Sequence, residues 1–456
     1  MRRFVAFLLG TCLAGTFVTP AGAEEQVAQR QEQSLRRAVQ PDAQMPDGKR
    51  MDFDLGFGLF KRNWVAAPSS TQAVDGLGPL YNARSCNVCH PGGARPNALL
   101  DKHGDPVPGL TVHLGQAGKA GEAAQPDPVY GEQVQTQALP GQQPEARLSL
   151  TMIDGPVIAL AGGEKVQLQR PEMQLSQLAF GDLAADSHAG FRLAPAIHGL
   201  GLLDRIPDAE ILAQAKRAKA DGIAGRVNWV PDAISGENRI GRFGWKAVQP
   251  TLAQQDAHAF NVDIGMSTTV YPRPAGDCST SQKDCLAAPN GNSPQFGNVE
   301  IAEPMRHLID SFVSFAMLPP QRQRDIDRIV AGEKLFMAAG CHSCHRPSYD
   351  LPATAGLPAR RITPYTDLLL HDMGPGLADG VAEGMASGSE WRTQPLWRLG
   401  HAVAGDAPAA LLHDGRARSI LEAVLWHGGE AAAAQQRVVA MSPDERTSLI
   451  AFLRSL

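Results

Sequence analysis

The chain has 456 residues, a formal net charge of −5 and a pI near 6.2. That length allows two or three domains with a sizeable core. The absence of a basic excess argues against nucleic acid as a partner, and 46 glycines with 34 prolines point to long ordered loops between modest helices.

The first residues read as a secretory signal: Arg2 and Arg3, an apolar run from Phe4 to Val18, then Ala21-Gly22-Ala23 as a small-residue cleavage site. Pro20 and the small-residue end disfavour a membrane anchor. No other stretch approaches the ~20 apolar residues of a spanning helix. No stable membrane insertion is therefore expected, and the mature protein is placed in the periplasm. Cleavage after Ala23 also removes Cys12, leaving six of the seven cysteines. Residues 24 to about 48 are polar and Gln-rich and read as a flexible or wrapping arm.

Gly56-Phe57-Gly58-Leu59-Phe60 and Trp64 follow, and Asp75-Gly76-Leu77-Gly78-Pro79 leads into Cys86-Asn87-Val88-Cys89-His90. This is C-x-x-C-H, the attachment signature of a c-type haem. Two thiols one turn apart would bond the haem vinyl groups, and the next imidazole would reach under the iron. The signature recurs at Cys341-His342-Ser343-Cys344-His345, preceded by Gly332-Glu333-Lys334-Leu335-Phe336. G-x-x-L-F thus precedes both copies, which reads as a divergent internal duplication. The four cysteines could instead make a zinc site, or one pair a thiol-redox centre. A histidine directly after both pairs, in an exported chain, selects two covalently attached haem c groups on Cys86, Cys89, Cys341 and Cys344, with His90 and His345 on the irons.

Between the motifs, Val134–Leu139, Leu148–Ile153 and Val166–Leu168 alternate as short strands. The apolar stretch Arg192 to Arg205 is expected to pack against haem, and a helix begins at Pro207. Residues 238–260 read as a turn followed by a helix. Cys278 and Cys285 are expected to form a disulfide pinning a surface loop. Pro304 opens a helix with Leu308, Phe312 and Phe315 on one face, closed by Leu318-Pro319-Pro320. In the last segment a helix from Ile326 to Phe336 leads to the second motif. The final helix carries a capping box at Ser442 and Glu445, with Leu449, Phe452, Leu453 and Leu456 on one face, and is expected to cross the helix before the motif. The expected fold is mainly α: two c-type cytochrome-like units with loop-rich and short-strand insertions. The division is 1–23 signal peptide, 24–135 N-terminal haem unit, 136–320 connecting region and 321–456 C-terminal cytochrome c domain.

The second axial position decides function. Filled by Met or His it favours electron carriage; left open it admits peroxide or O2. Near the second motif the favoured ligands are Met373 and His371, unresolved between them, with His401, His413 and His427 as rivals. His413 and Arg416, in the run Leu411 to Arg418, would hold haem propionates or a bridging water, or would simply cap a turn.

The chain resembles the di-haem oxidoreductase family, peroxidase-type proteins formerly labelled thiol oxidoreductases and related to bacterial di-haem cytochrome c peroxidases. The matching stretches include Asp75-Gly76-Leu77-Gly78-Pro79, Tyr130-Gly131-Glu132-Gln133, Phe243-Gly244-Trp245-Lys246-Ala247, Leu370-His371-Asp372-Met373-Gly374 and Leu412-His413-Asp414-Gly415-Arg416. The resemblance implies peroxide reduction. Electrons from a small donor protein, a cytochrome c or a cupredoxin, would enter at the His345 haem and reach an oxidant, peroxide or O2, at the His90 haem. It also implies that Glu132 and Gln133 occupy the catalytic positions over the oxidant, and that Trp245, or its rivals Trp64 and Trp397, relays electrons. In the relatives a Met ligand often precedes the His-Asp-Gly turn; here Leu412 stands there and cannot ligate. A pure di-haem electron carrier and an oxygenase or modifier of a partner protein are the alternatives.

Overall fold

The computed structural model describes residues 39–456 except 120, 218, 320–324, 355 and 405–407. The expected signal segment, much of the polar arm and the expected boundary at 320 lie outside the described residues. In chain order the principal elements are α1 (Arg50–Phe60), β1 (Leu110–Gln116), β2 (Gln133–Val134), β3 (Arg147–Ala159), β4 (Lys165–Ser176), β5 (Ser187–Leu193), α2 (Leu252–Val262), α3 (Glu303–Phe315), α4 (Ile326–Ala338) and α5 (Pro443–Ser455).

The fold is not mainly α. Helix accounts for 29% and strand for 21%, the strand spread over many small sheets. The expectation failed chiefly at residues 147–176. Short alternating runs there belong to one long antiparallel hairpin, β3 on β4, whose ladder continues through polar residues such as Thr151 opposite Glu172. Side-chain alternation sets a strand's faces, but backbone pairing sets its length. A smaller sheet, β2-β1-β5, pairs His113 with Gln133 on one side and with Gly190 on the other.

Two helix crossings organise the molecule. Where α1 lies on α3, a Cβ at Gly56 would stand 2.0 Å from the Leu308 carbonyl oxygen; where α4 lies on α5, a Cβ at Gly332 would stand 2.0 Å from that of Ser448. Only glycine admits either approach. Four residues on, Phe60 packs on Phe312 at 4.9 Å and Phe336 on Phe452 at 5.4 Å. The shared G-x-x-L-F is therefore one packing unit used twice, and α3 and α5 are its two partners. Matching Phe312 to Phe452 aligns the buried Arg306 with Arg446 and sets Asp310 against Ile450. The capping box on α5 is formed as expected: Ser442 Oγ accepts from Glu445 N, and Ser442 N donates to the Glu445 carboxylate.

Each crossing anchors a core. The first gathers Phe53, Trp64, Phe260 and Phe312. The second gathers Phe336, Trp391, Trp426 and Phe452, with Leu160 and Leu168 of the hairpin laid over it. A third core, with Val112, Tyr130 and Leu193, lies beneath the small sheet. Cys278 and Cys285 are joined, but buried at 3% and 1% exposure rather than in a surface loop.

Candidate functional site

Cys86–Cys89 form a single helical turn, which sets both thiols on one side, and His90 N closes it by donating to Cys86 O at 2.9 Å. At the second motif His345 N donates to Cys341 O at the same 2.9 Å. The imidazoles are held alike. His90 Nδ1 lies 2.7 Å from Pro195 O and His345 Nδ1 lies 2.9 Å from Tyr365 O. Each Nδ1–H donates to a carbonyl, which fixes the tautomer and turns a bare Nε2 outward, as an iron-ligating histidine requires. Burial lowers both rings to about 4, so both are neutral at physiological pH. Burial also pushes the Cys86 thiol up to about 12 and that of Cys341 up to about 11. Among the described residues no three His, Cys, Asp or Glu side chains converge on a metal-sized point. The zinc alternative therefore lacks its ligand set.

Cys86, Cys89 and His90 open into a cavity of about 600 Å³ walled by Phe60, Ile197, Phe243, Phe260 and Trp397. That is within the ~300–1,000 Å³ of a typical cofactor pocket. On the same wall stand Arg95, Arg392 and Gln394. Arg95 Nη2 donates to Leu412 O at 2.9 Å, yet Arg95 Nε and Gln394 Nε2 are buried with no acceptor. An apolar macrocycle carrying two carboxylates suits apolar walls with spare buried donors, so the residues present fit haem. His413 and Arg416 do not line this cavity. His413 stacks on Trp391 at 3.8 Å, and Arg416 is paired with Asp414 at 2.7 Å.

Gln133, on β2, lines the cavity. Glu132 stands one residue back, and Asp277 Oδ2 accepts from the backbone N–H of both, at 2.6 and 3.1 Å. Gly131 (φ +77°) allows this, since a Cβ there would stand 2.4 Å from the Asp277 carboxylate. The Glu132 carboxylate is 3.0 Å from His258 Nε2, and His258, on α2, lines the cavity. Burial disfavours the imidazolium, but Glu132, with Asp263 and Asp277, more than offsets it and raises His258 to about 9. His258 escaped the sequence reading. Its signal was present, because Gln255 and His258 are spaced as neighbours on one face of a single helix.

A buried charge chain leaves the cavity through His113. Its Nδ1 is 2.9 Å from Glu383, which Arg192 also engages at 2.5 Å; Arg192 bonds Asp379 at 2.8 Å, and Lys246 lies 3.5 Å from Asp379. Burial favours neutral Glu383, but Arg192 and His113 hold it well below the usual carboxylate range. Lys246 and Arg192 lie over the Trp391 ring at 4.0 and 5.1 Å. Trp245, in the cavity wall, meets His413 edge-on at 6.4 Å, and His413 stacks on Trp391 of the second core. Of the three tryptophans weighed from sequence, Trp245 touches both regions, Trp64 stays in the first core, and Trp397 lines the cavity.

At the second motif, both ring nitrogens of His371 are engaged: Nε2 with Asp367 at 3.0 Å and Nδ1 with Glu430 at 2.7 Å. Met373 packs half-buried against the second core, and its carbonyl adjoins Gly428. His427, just before that glycine, holds Nδ1 against Ala423 O at 2.7 Å. His401 Nε2 lies 2.9 Å from Pro319 O. Leu412, where relatives often carry Met, has a left-handed backbone (φ +68°).

A family model described as "Di-haem oxidoreductase, putative peroxidase" matches residues 158–456. No curated protein matches the chain. Among solved structures, the chain is similar to Kuenenia stuttgartiensis hydrazine synthase pressurised with xenon, at 16% identity and a TM-score of 0.25. That match covers 39% of this chain and 63% of the hydrazine synthase chain.

Proposed function

We propose that this chain, which belongs to the di-haem oxidoreductase family, is an exported peroxide reductase with its oxidant site at the His90 cavity. The family implies two haems. In this reading both are attached covalently, one through Cys86 and Cys89 with His90 Nε2 on the iron, the other through Cys341 and Cys344 with His345 Nε2. When bound, haem supplies one-electron redox chemistry and, at an open axial face, a place for peroxide to bind.

The protein's own residues decide which site reduces peroxide. The reaction H2O2 + 2e⁻ + 2H⁺ → 2H2O needs protons at the oxidant. The observation that carries the reading is that His90 shares its cavity with Gln133 and with His258, whose imidazolium Glu132 sustains to about pH 9. Gln133 offers an amide to orient the oxidant, and the His258–Glu132 pair holds a proton at the wall and returns it. In this reading His345, tethered to Tyr365 of the second core and beside the Asp367–His371–Glu430 network, is the point of electron entry. Electrons from a small cytochrome or cupredoxin would pass from there toward the cavity by Trp391, His413 and Trp245. The signal-like N-terminus supports a periplasmic location, where such donors reside.

The test is an optical and EPR spectrum of the resting protein, followed by peroxide and a reduced donor cytochrome. A high-spin signal that shifts on adding peroxide, with donor oxidation lost in His90→Ala while the second haem still reduces, is expected. Two low-spin haems inert to peroxide would overturn the reading and mark a carrier instead.

A further inference from the structure

Peroxide reduction at a buried site needs a route for protons from water. Where α2 meets α3 beside the cavity, the structure holds two facing acids. Asp256 lines the His90 cavity, and Asp310 lines a separate, more open pocket of about 650 Å³ together with Asp204, His307 and Ser311. The two carboxyls face one another across the α2–α3 contact. Asp256 Oδ2 and Asp310 Oδ1 are both buried, and no N–H or O–H of any described residue reaches either. Ionised carboxylates only accept, so two facing buried carboxyls whose oxygens meet no donor call for one shared proton. The other Asp310 oxygen takes Arg306 Nη1 at 2.5 Å, which favours charge on Asp310 and leaves the proton with Asp256.

The duplicated helix crossing supplies a control within the molecule. At the matching position of α5 the residue is Ile450, packed against the second core. The crossing itself therefore accepts an apolar side chain, and the acid occurs only at the crossing beside the cavity.

We propose that Asp310 and Asp256 form a proton relay that carries protons from the outer pocket to the His90 cavity, Asp256 releasing its proton inward as Asp310 passes on one taken from water. This rests on the peroxide reading above. Both protons of the reaction enter this way in turn, and the two electrons come from the donor protein. The surrounding charges suit the task. Burial, the facing acid and Asp204 keep Asp256 protonated far above the ordinary Asp range, while Arg306 opposes; burial also raises Asp310, against Arg306 and His307.

The relay is tested in the haem-loaded protein with Asp256→Asn and Asp310→Asn. Turnover should fall about 10²-fold in each, the scale of a lost proton-transfer group, with a larger solvent isotope effect and unchanged resting spectra. Acetate should restore Asp310→Asn, by delivering protons to Asp256. Independently of turnover, the infrared carbonyl band of a protonated carboxylic acid should be present in the resting protein at neutral pH and absent in Asp256→Asn. Wild-type turnover with both variants at the wild-type rate and isotope effect would overturn the relay, as would absence of the carbonyl band. A wild type inert to peroxide would overturn the peroxide reading instead, and the band then decides whether the shared proton exists. Should either Asn variant misfold, Asp310→Leu, copying the second crossing, serves in its place.

Discussion

The two Cys-Cys-His regions share a scaffold and differ in their surroundings. In each, a glycine lets one helix sink onto another, a phenylalanine one turn later fills the contact, and the histidine ring is tethered through Nδ1 to a backbone carbonyl. Around His90 the walls carry Gln133, His258, His113, Glu383 and Asp256. Around His345 stand the aromatic second core and an ion-pair network in which His371 bridges Asp367 and Glu430 and Lys219 pairs with Asp367. The scaffold only presents an imidazole. On the proposed reading, what the neighbouring helix and loops bring within reach would separate a site that handles protons from one that passes electrons.

The largest effect expected from that contrast is on turnover. His258→Ala should cut peroxide-dependent donor oxidation about 10²–10⁴-fold, the usual contribution of a general acid–base group. Reduction of the second haem by the donor should be untouched. Stopped-flow mixing of donor, then peroxide, separates the two steps; equal slowing of both would break the comparison.

Next comes the charge chain joining the regions. Arg192 is 2% exposed and engages both Glu383 and Asp379. Arg192→Met would leave Glu383 to His113 and Asp379 to Lys246. With those partners remaining, the loss should fall toward the low end of the ~3–5 kcal/mol that breaking a buried pair costs. Urea unfolding of Arg192→Met should show that loss, and Arg192→Met with Glu383→Gln should recover part of it.

The two crossings can be set against each other directly. Gly56→Ala and Gly332→Ala each drive a methyl to within 2.0 Å of a carbonyl oxygen, and overpacking of this kind costs about 1–3 kcal/mol. Gly56→Ala should also perturb the spectrum of the first haem alone, and Gly332→Ala that of the second. A crossed or shared perturbation would show that the units are not independent.

How far the sequence could be read follows from the range of each interaction. The local geometry of the two C-x-x-C-H turns, the repeated G-x-x-L-F and the Ser442–Glu445 capping box are set within a few residues, so they were legible. That α3 rather than a nearby helix partners α1 was not, since Gly56 and Leu308 meet only through the fold. Gln133, named from the resemblance, lines the cavity; His258 was not named, because its pairing with Glu132 comes from a distant segment. The Asp256–Asp310 pair looks like ordinary helix polarity until the two helices are laid together. The strand content was underestimated because a hairpin lengthens by backbone pairing, which polar residues sustain as well as apolar ones.

The smallest test probes the proton-holding pair of the first region through stability. His258 is raised from its ordinary 6.5 to about 9, so the folded state binds its proton more tightly than the unfolded chain does. The resulting stabilisation is complete below pH 6.5 and is lost as the pH rises through about 9. Glu132 is 52% exposed, so solvent screens the attraction and the contribution is about 1 kcal/mol rather than the face value of the shift. Denaturation across that window should find the wild type losing this margin over Glu132→Gln, because without the carboxylate nothing offsets the burial that favours neutral His258. A margin that stayed constant from below 6.5 to above 9 would mean that the proton is not held by this pair, and would move the acid–base role in the cavity to His113 and Glu383.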